Sequence, residues 1–198
     1  MRMPLQYPLH LTFKLVALAP QVYVRDAHGN TVAYIKQKLF KLKESVTVFG
    51  DERQTQPLYH INADRVIDFS ARYRFTDEVG RELGSVKRRG MRSLWRAHYD
   101  IYERDNVVMT IREENAWTKV IDNVVGEIPV IGWFTGYFLN PTYLVSRADG
   151  ALAMRLRKKP AFLESQFDIE RVASLTEDEE RRALLSLMMF LLLERARG

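Results

Sequence analysis

The chain holds no cysteine among its 198 residues, only four histidines, and no uninterrupted apolar run long enough to span a bilayer. Without cysteine there is no disulfide framework, no thiolate nucleophile and no cysteine-ligated zinc or iron. A cysteine-free chain fits a reducing compartment, so the expected location is the cytoplasm, with any membrane contact peripheral. His10, His28, His60 and His98 show no ligand spacing, and a lone histidine in a strand is ordinarily a surface or satisfied core residue. Phosphate loops and dinucleotide fingerprints are missing, and Ser45, Ser70, Ser85 and Ser93 lack the turn that exposes a hydrolase nucleophile. Asp68 and Asp100, both in strand-like stretches, are the remaining candidate pair of catalytic carboxylates. Arg65, Arg72 and Arg74 nearby favour structural ion pairs for them instead. The expectation is a protein that is not an enzyme and uses no cofactor or metal.

What is present is a globular composition, 46% hydrophobic and 28% charged, long enough for one domain over residues 1–198 with a substantial core. A net charge of +5 makes the chain mildly basic, below the density of a dedicated nucleic-acid binder, so where the charge sits matters more than its sum. The amino end imitates a secretory signal, with Arg2 in front and Ala17 and Ala19 before Pro20. Lys14 and His10 interrupt it, however, and Leu9, Leu11, Phe13 and Leu15 alternate with polar neighbours as in a half-buried strand.

Near the carboxyl end, "ALLSLMMFLLL" (Ala183 to Leu193) is apolar on every face. Eleven helical residues rise about 16 Å, roughly half of a bilayer's hydrocarbon core, and charged flanks forbid a longer span. No transmembrane segment is expected, and the segment reads as a helix enclosed by the rest of the fold. Thr176 and Glu179 form a capping box ahead of it, with Glu177, Asp178 and Glu180 at the positive end of the helix dipole and Arg195 and Arg197 at the other.

Most of the remaining chain reads as short strands, including "QVYVRD", "TVAYIK", "SVTVF", "LYHIN", "IDFSARYRF", "ELGSVK", "WRAHYDIYER", "VVMTIREE", "TYLVSRA" and "ALAMRLR". One earlier helix is expected at Asn115 to Val125, followed by an apolar loop up to Pro141, an elaboration at about residues 115–141. Many hairpin strands with one wholly apolar helix are reconciled by a closed antiparallel barrel threaded by that helix, a mainly β (α+β) fold.

Three segments share a plan: "DAHGNTVAYIKQK", "DEVGRELGSVKRR" and "DGALAMRLRKK" each pass from a turn glycine into a strand that ends in positive charge. Counting from Gly29, Gly80 and Gly150, the seventh residues are Lys36, Lys87 and Arg157, and the ninth are Lys38, Arg89 and Lys159. Seven and nine share one strand face, opposite to the apolar fourth and sixth, so these cations point outwards. Lys41 and Lys43 extend the first cluster and Arg88, Arg92 and Arg96 the second, and Lys158 lies within the third. Such a basic rim, with Trp95 interleaved, suits anionic phospholipid headgroups or an acidic protein partner. It also suits plain solubility and protection of the sheet against aggregation. The alternatives are a nucleic-acid-binding barrel, which would show steep salt dependence, and a scaffold that binds an apolar ligand or partner through Ile131 to Leu139.

The stretch "YVRDAHGNTVAYIKQKLFKLKESVTVF", followed by "LYHINADRVIDFSARYRFTDEVGRELGSVKRRGMRSLWRAHYDIY", resembles a bacterial member of the LURP-one-related family. The resemblance runs from about Val22 to Leu193, with Lys36-x-Lys38 in its strand context as its most specific element. That family belongs with tubby carboxy-terminal-like and phospholipid-scramblase domains. The resemblance implies twelve strands around a central apolar helix, and it implies little about activity. The acidic calcium loop and palmitoylated cysteines of scramblases are missing, so lipid scrambling is not expected. No family lipid pocket maps onto these residues one by one.

Overall fold

The structure, a computed structural model, describes residues 5–14, 20–36, 45–65, 71–90, 97–114, 141–160 and 164–196. Twelve strands follow in chain order: β1 (Leu9–Lys14), β2 (Gln21–Arg25), β3 (Thr31–Lys36), β4 (Ser45–Phe49), β5 (Pro57–Ala63) and β6 (Arg72–Asp77). They continue with β7 (Glu82–Arg88), β8 (His98–Glu103), β9 (Asn106–Glu113), β10 (Thr142–Arg147), β11 (Leu152–Lys159) and β12 (Ser165–Arg171), before α1 (Glu177–Ala196). Each strand pairs with its chain neighbours, and β12 returns to β1 to close the barrel. The closing seam runs from Leu9↔Ile169 to Phe13↔Ser165 and leaves neither strand with a free edge. The expected helix at 115–125 and the apolar loop after it lie outside the described residues.

Period-two alternation makes the strands. In β1, Leu9, Leu11 and Phe13 are buried while His10, Thr12 and Lys14 face partly outwards. The twelfth strand, "SQFDIER", carries this pattern on Phe167 and Ile169 alone.

Closure of twelve strands leaves an interior that only another element fills, and α1 fills it. Ala183, Leu187, Met189 and Phe190 are wholly buried, and the helix and the inner strand faces form one apolar cluster. Phe190 meets Tyr99 edge-on at 5.2 Å between ring centroids and Tyr143 at 4.7 Å. The polar interruption is accommodated within the helix: the buried Ser186 hydroxyl donates to the Arg182 carbonyl at 2.7 Å. The capping box forms as expected, with Glu179 N–H donating to Thr176 Oγ1 (3.2 Å) and Thr176 N–H to Glu179 Oε2 (2.9 Å).

The helix is not centred. Its backbone lies closest to β7 and next to β8 and β6. Gly84 permits that approach: a Cβ there would stand 2.5 Å from the Tyr102 carbonyl and 2.8 Å from Arg182 Nε, and its φ of +140° also favours glycine. Arg182, almost fully buried, donates from Nε to the Leu83 carbonyl (2.8 Å) and from Nη2 to Glu103 Oε1 (2.5 Å), tying the first turns of α1 to β7 and β8.

The shared plan of the three hairpins is a geometric repeat. Gly29, Gly80 and Gly150 have φ of +83°, +84° and +88°. Each donates its N–H to the residue three before it, Asp26, Asp77 and Arg147, and those residues donate theirs to Asn30, Arg81 and Ala151. The ladder slips by one residue at the same offset each time, at Val24/Arg25, Phe75/Thr76 and Val145/Ser146. Asp26 and Asp77 also accept backbone N–H groups inside their turns, whereas in the third turn that service falls to Asp149. The hairpins β2–β3, β6–β7 and β10–β11 recur every fourth strand, so the barrel has an approximate three-fold repeat about its axis.

Strands that run up and down alternately sort the connections between two ends. The β2–β3, β4–β5, β6–β7, β8–β9 and β10–β11 turns lie at the end where β12 leads into α1, here the entry end. The start of β2, the end of β3 and the carboxyl end of α1 lie at the opposite, exit end.

Candidate anion-binding end of the barrel

Topology decides where the predicted cations go. Lys36, Lys87, Arg89, Arg157 and Lys159 all sit where β3, β7 and β11 reach the exit end. Ala33, Ile35, Val86, Met154 and Leu156 are buried on the inner face, while Lys36, Arg89 and Arg157 are exposed and Lys87 and Lys159 half-buried. The described cations of β3, β7 and β11 do not merge into one patch. Four strands at roughly 4.8 Å each separate neighbours by about 19 Å of circumference, so the cations ring the exit end.

Arg88 and Lys158 are corrected. As eighth residues from their glycines they point opposite to seven and nine, into the barrel mouth. Arg88 is 9% exposed and places Nε 3.8 Å from Glu194 Oε1 of α1. Glu194 also accepts the Tyr99 hydroxyl at 2.6 Å. Lys158 lines a crevice of about 170 Å³ in the mouth together with Tyr143, Phe167, Glu194 and Arg195, and the Arg195 guanidinium lies 5.6 Å over the Phe13 ring. The parity rule that turned seven and nine outwards carries Arg88 and Lys158 inwards, and neighbouring in sequence is no guide to facing together. Lys38, Lys41, Lys43, Arg92 and Arg96, with Trp95 and the Ile131 to Leu139 loop, lie outside the described residues.

The outer cations are partly neutralised. Lys159 Nζ meets Asp168 Oδ2 at 2.7 Å, Arg157 meets Glu170 at 3.7 Å and Arg89 meets Asp100 at 3.7 Å. Burial alone would raise the Asp168 carboxyl, but hydrogen bonds from Lys159 and His10 hold it below its usual value. Lys36 and Lys87 have no ion-pair partner among the described residues. Asp100 faces Arg89 and His98, the latter at 3.6 Å, and not the arginines expected from the sequence; Arg65 pairs with Asp64 and Arg72 with Asp105. Burial, and then the Arg112 charge, lower the pKa of His98, so that ring is neutral near pH 7. Asp68 lies outside the described residues. Among the described residues no group of three His, Asp or Glu could hold a metal, and no helix is long and apolar enough to cross a membrane.

The entry end leans to the opposite sign, its acids outnumbering the arginines Arg25, Arg53, Arg81, Arg104, Arg147, Arg171 and Arg181 that lie among them, several in ion pairs. Each of its hairpin turns holds or adjoins an acidic residue, at Asp26, Asp51, Asp77, Asp105 and Asp149, and the first turn of α1 adds Glu177, Asp178, Glu179 and Glu180. Charge is thus sorted along the barrel axis, negative where the helix enters and positive where it leaves. The sequence alone shows the cations but not this polarity, because the sorting depends on which strand ends share a rim.

A family model described as LURP-one-related matches residues 31–170. No curated protein matches the sequence. A protein from Arabidopsis thaliana solved by X-ray crystallography superposes with a TM-score of 0.48 and 15% identity, over 96% of this chain and 92% of that one.

Proposed function

Because the chain belongs to the LURP-one-related family, whose match includes β3, β7 and all but the last residue of the barrel's closing strand, we propose that it is a noncatalytic binding module that docks exit end first on an anionic phospholipid surface. The observation that carries the reading is the axial sorting of charge. A flat surface that meets the exit end touches the described cations of β3, β7 and β11 at once, whereas contact from the side reaches those of one strand. The entry end is meanwhile repelled, which fixes the orientation. Lys36 and Lys87, without carboxylate partners among the described residues, lose least on contact, and the mouth crevice with Lys158 and Arg195 offers a second layer of donors for a phosphate.

Each basic residue near an anionic surface contributes about 1 kcal/mol, or roughly fivefold in binding. Vesicle flotation checks the proposal. Recovery with phosphatidylserine-containing vesicles exceeds that with pure phosphatidylcholine, falls with added salt, and drops to the neutral level in the triple variant K36E/K87E/R89E. Equal recovery on both vesicle types, unchanged by the charge reversal, sinks it.

A further inference from the structure

The lean of α1 towards β7 leaves a space on the other side. Between the helix and the wall formed by β2 to β5 and β12 lies a cavity of about 470 Å³ that opens at the entry end. Its floor is aliphatic, made by Val24, Ala33, Val48, Ile169, Leu185 and Met188, all buried. A void of this size lined by methyl groups and a thioether costs packing energy if empty, and it lies within the volume range of small-molecule sites.

We propose that this cavity is a binding site for a single alkyl chain, whose polar end rests at the mouth beside Arg171 and Arg181. Three observations select that occupant. The floor presents no polar side chain among the described residues, and β2, β5 and β12 spend their backbone groups on their sheet neighbours. A peptide inserted there would bury unsatisfied amides, and a sugar or nucleotide would bury hydroxyls. The charges at the mouth are already paired, Arg171 with Glu180 at 3.1 Å and Arg181 with Glu177, so no strong charge draws a compact ion inward. The wall is also compliant: among the described residues β3 and β4 are registered at Tyr34↔Phe49 alone, whereas β1 and β12 pair at five positions, and Met188 adapts its shape readily. Widening that seam breaks few ladder hydrogen bonds.

The proposal goes beyond the docking reading and does not depend on it, since the cavity is at the opposite end from the cationic rim. The full chain, with methionine methyls labelled, is titrated with dodecanoate and with dodecan-1-ol in the absence of vesicles. Both probes bind saturably at one site and shift the Met188 methyl resonance, leaving those of Met109 and Met154 in place. V32W and L184W, which place an indole in the half-buried mouth, weaken binding at least tenfold with the fold retained by circular dichroism. Incubation with phosphatidylcholine vesicles that carry pyrene-labelled phosphatidylcholine separates the sources. Transfer of label to the protein identifies a lipid's acyl chain as the ligand, and probe binding without transfer identifies a free one. Lack of saturable binding by either probe, or saturation that leaves the wild-type Met188 methyl unmoved, overturns the proposal. Should V32W or L184W unfold, the wild-type methyl shift alone decides.

Discussion

Replacing Phe190 by alanine tests whether α1 is the interior of the barrel or an element leaning on it. Phe190 is wholly buried and sits between Tyr99 and Tyr143, with ring planes at 80° and 66°. Truncating a buried phenylalanine costs about 3–5 kcal/mol when the site cannot collapse, and each lost edge-to-face pair adds about 0.5–1.5 kcal/mol. Strands paired on both sides have little freedom to move in and fill the void, so the loss belongs near the upper end, about 5 kcal/mol. At about 2–4 °C per kcal/mol for a chain of this length, the melting temperature falls by roughly 10–20 °C. Urea unfolding followed by tyrosine fluorescence and far-ultraviolet dichroism gives the free energy directly. F190L, which restores most of the volume without the ring, recovers more than half of it. A loss below about 1 kcal/mol for F190A, or no difference between F190A and F190L, refutes the assignment of Phe190 to a tightly packed core.

Removing the chain from Ala183 onwards takes out the whole inner layer, and the expected product lacks a cooperative urea transition; a soluble product with an unchanged transition contradicts the central-helix reading. G84A forces a Cβ against the Tyr102 carbonyl and Arg182, and at a backbone conformation that itself costs about 1–3 kcal/mol in strain the equilibrium stability drops by at least 2 kcal/mol. Hydrogen bonds from Arg147 hold the Glu179 carboxyl at about 2, against its usual 4.5. A depressed carboxyl stabilises the fold above its unfolded value and loses that contribution as pH falls, so wild-type thermal stability declines between about pH 4.5 and 2 more steeply than that of R147M. Parallel pH profiles for the two proteins would remove Glu179 from the acid transition.

Local patterns carried most of the fold. The alternation of Leu9, Leu11 and Phe13, the Thr176–Glu179 box and the three turn glycines each act within a few residues, and each appears where the sequence places it. The strand "SQFDIER" is the weakest of the twelve in the sequence because polar residues outnumber apolar ones in it; its place is fixed by pairing with β1 and β11. The candidate site was legible only as a set of cations. Arg88 and Lys158 faced the wrong way in a reading by proximity, because inward direction follows strand parity and the mouth they enter exists only after closure. Arg182 carries no sequence signal at all. Its role depends on Gly84 letting the helix approach β7, a contact between residues far apart in the chain. The cavity opposite is a consequence of that same lean, and no periodicity encodes it.

The absence of native cysteine makes the orientation of the barrel on a membrane directly measurable with one introduced thiol at a time. Ser45 lies at the exit end, and Val79, 83% exposed, at the tip of an entry-end turn. With an environment-sensitive fluorophore on S45C or V79C, addition of phosphatidylserine vesicles is expected to brighten the label at position 45 and expose it to quenching by lipid-borne nitroxides. The label at position 79 stays in water. Quenching of the position 79 label, with position 45 left unchanged on vesicles that bind the protein, would contradict the claim that the barrel meets an anionic surface with its positive end.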